Sequence, residues 1–225
     1  MAILAKKGGG KRDAPRIDSF LKLTAILALA AVLGGCAFGR TYGYTDAPVA
    51  LQGISSSGTV AVGVQDKRPY VASGNKSDKF VGLMRGGFGN PFDVNTQSGS
   101  PLAIEMRDAL VKSLKAKGIN VSPVAIGYSE SDAGVKRTLL ATSARRLVLV
   151  TLGEWKSDTY MRTALHYDVT VEVMDEKGNS VATNQIKGND NLGGLGLSPD
   201  EAIAAAFVKK FDVLFDNEKI IAALK

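Results

Sequence analysis

The sequence predicts an α+β domain with a single mixed, largely antiparallel β-sheet and helices packed mainly on one face. Segments of alternating or continuous β-branched residues are separated by segments whose apolar residues recur at helical spacing. The predicted order of elements is β-α-β-α-β-β-β-α, and the three consecutive strands before the last helix favour antiparallel pairing. With 45% hydrophobic residues in 225, the chain can bury a substantial core.

The first half of the domain alternates strand and helix. The valine alternation over residues 59–65 is typical of a strand, and Pro69 follows it. A helix is expected over 101–118, because Ser100 suits an N-cap, Pro101 suits the first helical position and Gly118 ends the apolar stripe. A short strand over 119–124 and a weaker helix over 133–144 complete this half.

The second half is predicted to be mostly strand. A strand is predicted over residues 146–155, and it is placed centrally because its apolar residues fall on both faces: Leu147, Val148, Leu149, Val150 and Leu152. Residues 164–174 alternate cleanly, and 180–187 are expected to return as their hairpin partner across the loop 175–179. A glycine-rich loop over 189–197 leads to Ser198-Pro199-Asp200-Glu201, a capping-box helix start.

Residues 1–35 are interpreted as a cleaved lipoprotein signal peptide. A basic stretch precedes the uncharged run Leu23–Leu33, which is the order of a secretory signal. Even extended to Phe38, the uncharged run would span only about 24 Å as a helix, so a permanent membrane span is the weaker alternative. Leu33-Gly34-Gly35-Cys36 matches a lipobox, and cleavage is expected between Gly35 and Cys36.

Cys36 is the expected lipidation site, carrying diacylglycerol and an N-acyl chain. The alternative is a free buried cysteine, but its position directly after the apolar run favours acylation. Ala37 follows, where Asp would favour retention in the inner membrane, so the outer membrane, facing the periplasm, is the expected location. Residues 36–58 are interpreted as the lipidated Cys and a flexible tether, and 59–225 as one periplasmic domain.

Charge excludes one class of partner. The formal net charge is +6, but the leader holds six basic and two acidic residues, so the mature chain carries only about +2. A nucleic-acid binder would need a concentrated basic face, and none is predicted. The expected partners are the membrane, through the lipid, and another envelope protein.

The glycine-rich stretch 67–99 is predicted to be a long irregular loop and the candidate interaction surface. Loops of this length within a compact domain are usually functional or disordered, and aromatic, Met and Arg residues are enriched at interface cores. The alternative is that its apolar residues cover the sheet. The residues proposed to form the surface are Tyr70, Phe80, Met84, Arg85, Phe88 and Phe92.

No pattern indicates catalysis or cofactor binding, and we expect neither. His166 and Asp168 could pair as a base and its orienting carboxylate, but no motif places a nucleophile beside them. The glycines at 193, 194 and 196 invite a phosphate-loop interpretation, but no Lys-Ser/Thr pair follows and acidic residues occupy the helix start. Trp155 is expected to be a core residue rather than a ligand platform.

From about residue 55 to 225 the chain resembles the YajG-type lipoproteins, a largely uncharacterised family of bacterial envelope proteins. The resemblance is carried by Asp66-x-Arg68 at the end of the first strand and by Lys117-Gly118 at the helix end. It is also carried by the strand pair from Tyr167 to Ile186 around Lys177-Gly178-Asn179, the closing glycine loop and the alanine-rich helix. The long segment after Arg68 departs from the family pattern. None of these motifs is catalytic.

The sequence therefore predicts an outer-membrane-anchored lipoprotein that acts as a non-enzymatic binding or accessory protein of the envelope. One alternative is a subunit or assembly factor of a secretion or surface-structure complex. The other is an envelope hydrolase, which would need a clustered acid–base site.

Overall fold

The computed structural model describes residues 39–193 and 198–225. The predicted signal peptide, the cleavage position and Cys36 lie outside the described residues, as does the middle of the predicted glycine loop. The described residues form eight strands and five helices. The strands are β1 (Thr41–Tyr42), β2 (Val60–Asp66), β3 (Phe80–Arg85), β4 (Pro91–Thr96), β5 (Val121–Val124), β6 (Arg146–Thr159), β7 (Thr163–Asp175) and β8 (Ser180–Asn191). The helices are α1 (Pro69–Ala72), α2 (Leu102–Ala116), α3 (Asp132–Leu140), α4 (Pro199–Phe215) and α5 (Glu218–Leu224).

The long strand β6 organises the sheet. On one side it pairs antiparallel with β7 along its length, and β8 pairs with β7 beyond it. On the other side it pairs parallel with two strands in succession: first β2, over Arg146–Leu152, and then β3, over Ser157–Thr159. Outside β2 lies β5, and outside β3 lie β4 and then β1. The α+β class and the mixed sheet are confirmed, with more parallel pairing than the sequence predicts.

The prediction that residues 67–99 form an irregular loop is wrong. The segment contains α1 and the antiparallel hairpin β3–β4, and β3 joins the main sheet. Its glycines serve close packing and turns: a Cβ at Gly82 would lie 2.7 Å from the carbonyl oxygen of Ser157 on β6, and Gly89 has a φ of +81° in the hairpin loop. The predicted order of elements therefore omits a helix and two strands here, along with β1 and α5.

The predicted flexible tether over residues 36–58 is also wrong from Thr41 onward. β1 pairs with β4, and the side chains of Tyr42, Tyr44 and Leu51 are buried. The backbone of this segment is held by carboxylates: the N–H of Leu51 donates to Asp212 Oδ1 at 3.0 Å. Apolar burial and these hydrogen bonds fix a segment that has no helical or strand periodicity.

The main core lies between one face of the sheet and the helices α2, α4 and α5. Trp155 is buried at its centre, as predicted, and its Nε1 donates to the Tyr44 hydroxyl at 3.1 Å. The rings of Phe207 and Phe211 meet the indole edge-on. On the opposite face, α3 covers one end of the sheet over a smaller cluster that includes Leu139, Leu147 and Met174.

The junction where β2 ends and β3 begins on the same side of β6 is filled by Arg68. Its side chain is fully buried, and its Nε and Nη2 donate to the two carboxylate oxygens of Asp66 at 2.8 and 2.6 Å. Its Nη1 donates to the carbonyl oxygens of Phe80 at 2.6 Å and Trp155 at 3.1 Å. Burial lowers the pKa of the guanidinium, but the hydrogen bonds and charge of Asp66 more than offset this, so its pKa lies above the usual value. One side chain thus connects the end of β2, the start of β3 and the interior of β6.

The hairpin and capping predictions in the second half are confirmed. Asp175 Oδ1 accepts hydrogen bonds from the N–H groups of Lys177 and Asn179, and Gly178 between them has a φ of +77°. The N–H of Ser198 donates to Glu201 Oε2 at 3.2 Å at the start of α4.

Candidate binding surfaces

The six residues predicted to form an interaction surface do not share one exposed face. Phe80 is 1% exposed, and its ring packs edge-on against Tyr70 with centroids 5.5 Å apart. Phe80 is therefore wrong as a surface residue: it closes the junction beside Arg68. The hydroxyl of half-buried Tyr70 donates to Glu154, and burial raises the pKa of that phenol.

The rest of the predicted surface divides between the sheet and a loop tip. Met84 and Phe92 are half-buried, while Arg85 makes a bidentate ion pair with Asp158 at 2.8 and 2.6 Å. That pairing is the main reason the pKa of Asp158 lies below its usual range. Phe88 is different: it stands at the tip of the β3–β4 hairpin and is 86% exposed.

The sequence analysis missed two exposed residues in the loop that touches this hairpin. Tyr160 and Met161, in the loop between β6 and β7, are 53% and 79% exposed. The Tyr160 hydroxyl donates to the carbonyl oxygen of Gly87 at 3.4 Å, so the two hairpin loops touch. The only signal in the sequence was an apolar pair between two predicted strands.

A groove of about 690 Å³ lies between the segment 43–48 and α4. Its apolar lining is contributed by small side chains: Ala47, Pro48, Ala204, Ala205 and Val208. Thr45, Asp46, Gln97, Ser98 and Glu105 add polar groups along its length. The groove therefore combines an apolar wall with a polar side, and concave surfaces that join apolar area to placed polar groups are the usual form of a binding site.

The buried carboxylate of Glu105 sets the shape of this groove. Its Oε2 accepts from the N–H of Tyr44 at 3.0 Å, and its Oε1 accepts from the N–H and hydroxyl of Ser98 at 3.0 and 2.6 Å. Both oxygens are committed to holding the two loops that line the groove, so we assign Glu105 a positioning role. Sequence reasoning missed the groove because half of it is built from the segment interpreted as a tether.

His166 and Asp168 lie half-buried on the face of the sheet opposite the main core, and with Pro69 they line a shallow cavity. Asp168 bonds to Lys187 Nζ at 2.9 Å and to Gln185 Nε2 at 2.6 Å. Burial raises the pKa of Asp168, but the interactions with these two partners together lower it by more, so the pKa lies below its usual range. The carboxylate is thus engaged across the β7–β8 ladder, as part of the sheet surface. Among residues 39–193 and 198–225, no group of three or more His, Cys, Asp or Glu is placed to hold a metal ion.

Comparison with known proteins gives distant structural likenesses. No protein-family model and no curated protein matches the chain. The fold is similar to a Xanthomonas campestris protein of the family DUF330, with a TM-score of 0.43 and 12% identity over 82% of this chain and 90% of that one. It is similar to a PelC dodecamer from Paraburkholderia phytofirmans, with a TM-score of 0.35 and 14% identity over 76% and 95%. A third is lipoprotein GNA1162 from Neisseria meningitidis, with a TM-score of 0.30 and 9% identity over 71% and 98%.

Because Phe80 is buried and Phe88 is exposed, truncating them should have very different effects on stability. Phe80→Ala should lower the free energy of unfolding by about 3–5 kcal/mol, because it opens a cavity beside the buried Arg68. Phe88→Ala should change it by less than about 0.5 kcal/mol, because the ring contacts solvent. Urea unfolding of the two variants beside the parent measures both. If Phe88→Ala proves as costly as Phe80→Ala, the described position of the hairpin loop is incorrect.

Proposed function

We propose that this protein is a lipid-anchored lipoprotein of the outer membrane that faces the periplasm and acts as a non-enzymatic binding or accessory protein of the envelope. The observation that carries the proposal is the order of the leader: basic stretch, short apolar run, then Leu33-Gly34-Gly35-Cys36. Within the described residues, no helix is long and apolar enough to cross a membrane. The resemblance to YajG-type lipoproteins supports the same class.

The fold begins close to the lipidated residue. β1 starts at Thr41, five residues after Cys36, and the following residues pack against the domain instead of forming a leash. Five extended residues reach at most about 17 Å. The domain is therefore held near the membrane surface, where it would act on partners that are also membrane-associated.

The groove beside α4 is the surface we assign to partner binding. Its apolar wall of alanine and valine side chains would accept a short apolar segment, while Thr45 and Gln97 offer polar groups to its backbone. Half-exposed Val208 and exposed Ala205 give the wall its open side. The occupant that fits this lining is a stretch of an envelope protein partner.

One observation favours the alternative of a subunit in an envelope assembly. β8 has 12 residues and, among the described strands, pairs only with β7, so its outer edge carries unpaired backbone groups. Such an edge can add a strand from another chain. A native mass several times that of the monomer would favour the assembly, whereas a monomeric mass would favour the accessory protein.

Substituting Cys36 tests the lipid anchor. Cys36→Ser should abolish incorporation of labelled fatty acid and release the protein from the detergent-rich phase, because the acyl-accepting thiol is lost. Ala37→Asp is the matched control: it should keep the label and move the protein to the inner-membrane fraction. A Cys36→Ser variant that is still processed and labelled like the parent would rule out the proposal.

Filling the groove tests the binding role. Ala205→Arg places a long charged side chain across the apolar wall and should reduce crosslinking to envelope proteins in intact cells at least tenfold, which corresponds to about 1.4 kcal/mol of binding. Val213→Arg is the control, because Val213 is 52% exposed on the same helix but does not line the groove. Both variants should melt like the parent. Unchanged crosslinking of Ala205→Arg would show that the groove is not the binding surface.

A further inference from the structure

The long strand β6 changes partway along its length which side chains face the main core. Before Gly153 the core takes even-numbered residues, the last of which is Leu152, and beyond it the buried positions are odd-numbered, beginning with Trp155. A register shift against β7 between Leu152 and Glu154 marks a β-bulge at this point. Bulges re-aim side chains and are frequent beside functional sites. Here the bulge brings Glu154 and Lys156 to the face of the sheet opposite the main core.

A row of three hydrogen-bond donors crosses that face next to the bulge. Lys156 on β6 pairs with His166 on β7, and His166 pairs with Asn189 on β8. Directly opposite residues of antiparallel strands have Cβ atoms about 5 Å apart, so the three side chains start within about 10 Å of one another. All three line one cavity of about 620 Å³, together with Pro69. We refer to these three residues as the donor row.

The carboxylates on one side of the donor row already have partners. Asp168 binds Lys187 Nζ at 2.9 Å and Gln185 Nε2 at 2.6 Å. Glu154, opposite Asp168 in the ladder, accepts the hydroxyl hydrogen of Tyr70. These carboxylates are therefore committed to other side chains of the same face.

The carboxylate on the other side of the donor row is committed as well. Both oxygens of Asp158 accept from Arg85, at 2.8 and 2.6 Å. This ion pair is the main reason that the pKa of Asp158 is lowered, and the charges of Lys156 and His166 add to the effect. The two side chains thus lie near Asp158, but its hydrogen-bonded partner is Arg85.

The donor row itself has unused hydrogen-bonding capacity. Within residues 39–193 and 198–225, the side chains of Lys156, His166 and Asn189 make no hydrogen bond and no ion pair. Lys156 Nζ lies 5.9 Å from the centroid of the Tyr70 ring, which attracts the ammonium group without neutralising its charge. Lys156 and His166 are half-buried, so their donors are partly removed from water. Such donors favour an anion, whereas a cation would meet carboxylates that are already engaged.

We propose that the donor row binds an oxyanion: the carboxylate or phosphoryl group of a small ligand whose remaining part lies in the cavity. Lys156 supplies the positive charge, and the N–H groups of His166 and Asn189 donate to the same group of oxygens. A cavity of this volume is in the usual range of small-molecule sites and has room for more than an inorganic ion. The site shares no lining residue with the groove beside α4, and it does not depend on the lipid anchor.

The only histidine of the chain is a built-in reporter for this site. The full chain, purified in detergent without a histidine tag and grown with isotope-labelled histidine, gives a single imidazole resonance, that of His166. It is titrated at fixed pH with inorganic phosphate and, separately, with acetate, beside sodium chloride at matched ionic strength. We expect a saturable shift of the resonance with an oxyanion and not with chloride. A tighter response to phosphate identifies a phosphoryl group as the ligand group, and a tighter response to acetate identifies a carboxylate.

Three variants connect the response to the donor row. Lys156→Gln should weaken binding of the responding anion about tenfold, which is what one charge-assisted hydrogen bond contributes. Asn189→Ala should also weaken it, and because Asn189 is exposed, this variant tests the site even if the loss of Lys156 disturbs the sheet. Lys136→Gln is the matched control, since Lys136 is an exposed lysine that lines a separate cavity beside α3. Its affinity should equal that of the parent.

Two results would overturn the site. A shift that does not saturate, or that sodium chloride produces equally, would be a general effect of salt. Saturable binding with the parent's affinity in both Lys156→Gln and Asn189→Ala would show that the anion binds elsewhere.

Discussion

The buried ion pair between Asp66 and Arg68 is the interaction on which the rest of the structure depends. β6 is longer than either β2 or β3, and these two shorter strands pair with successive parts of the same side of it. Between β2 and β3 the chain must therefore leave the sheet and return to it. Arg68 closes that gap with hydrogen bonds to the carbonyl oxygens of Phe80 and Trp155. A buried arginine is costly unless it is paired and its donors are used, and here Asp66 supplies the counter-charge. The Asp-x-Arg motif that carries the family resemblance is therefore a structural element.

This junction also determines where the exposed loops lie. Because β3 is fixed parallel to β6, the 86–90 and 160–162 loops extend together from one end of the sheet. β1 is added to the outside of the same hairpin, beside the end of β4. The groove beside α4 is built on the other side of the same segment, through Tyr44 and Glu105. The two exposed loops and the groove beside α4 thus both depend on strands that the junction holds in place.

The parts of the fold that could be predicted from sequence are those with a clean period or a cap. The alternation over β7, the continuous apolar run of β6 and the Ser198-Pro199 helix start each correspond to an observed element. β3 was missed although Phe80–Met84 is an apolar run followed by glycines, because Gly82 and the neighbouring turn residues suggested a loop. That glycine is required by close approach to Ser157, a tertiary constraint that local pattern does not reveal.

The candidate sites were harder to predict, for a related physical reason. Tyr44 and Leu51 are buried without any regular spacing, and their backbone groups bond to Glu105 and Asp212, more than 60 and 160 residues away in sequence. The groove, which is lined by other residues of the same segment, therefore had no local signal. Phe80 and Phe88 lie on the same hairpin and are both flanked by glycines or charges, so composition could not separate the buried ring from the exposed one. Phe88 was included in the predicted surface because aromatic residues in a glycine-rich stretch are unusual.

The most direct test of the central claim measures the Arg68→Met variant beside Arg85→Met by urea unfolding and amide hydrogen exchange. Arg68→Met should lose about 3–5 kcal/mol, since it leaves the Asp66 carboxylate buried and unpaired. It should also expose the amides of Val81 and Val94 to exchange before those of β7. Arg85→Met, which breaks an ion pair that solvent screens, should lose far less stability. Equal losses in the two variants, with β3 and β4 still protected in Arg68→Met, would contradict the account, because the hairpin would then be held in the sheet without the buried pair.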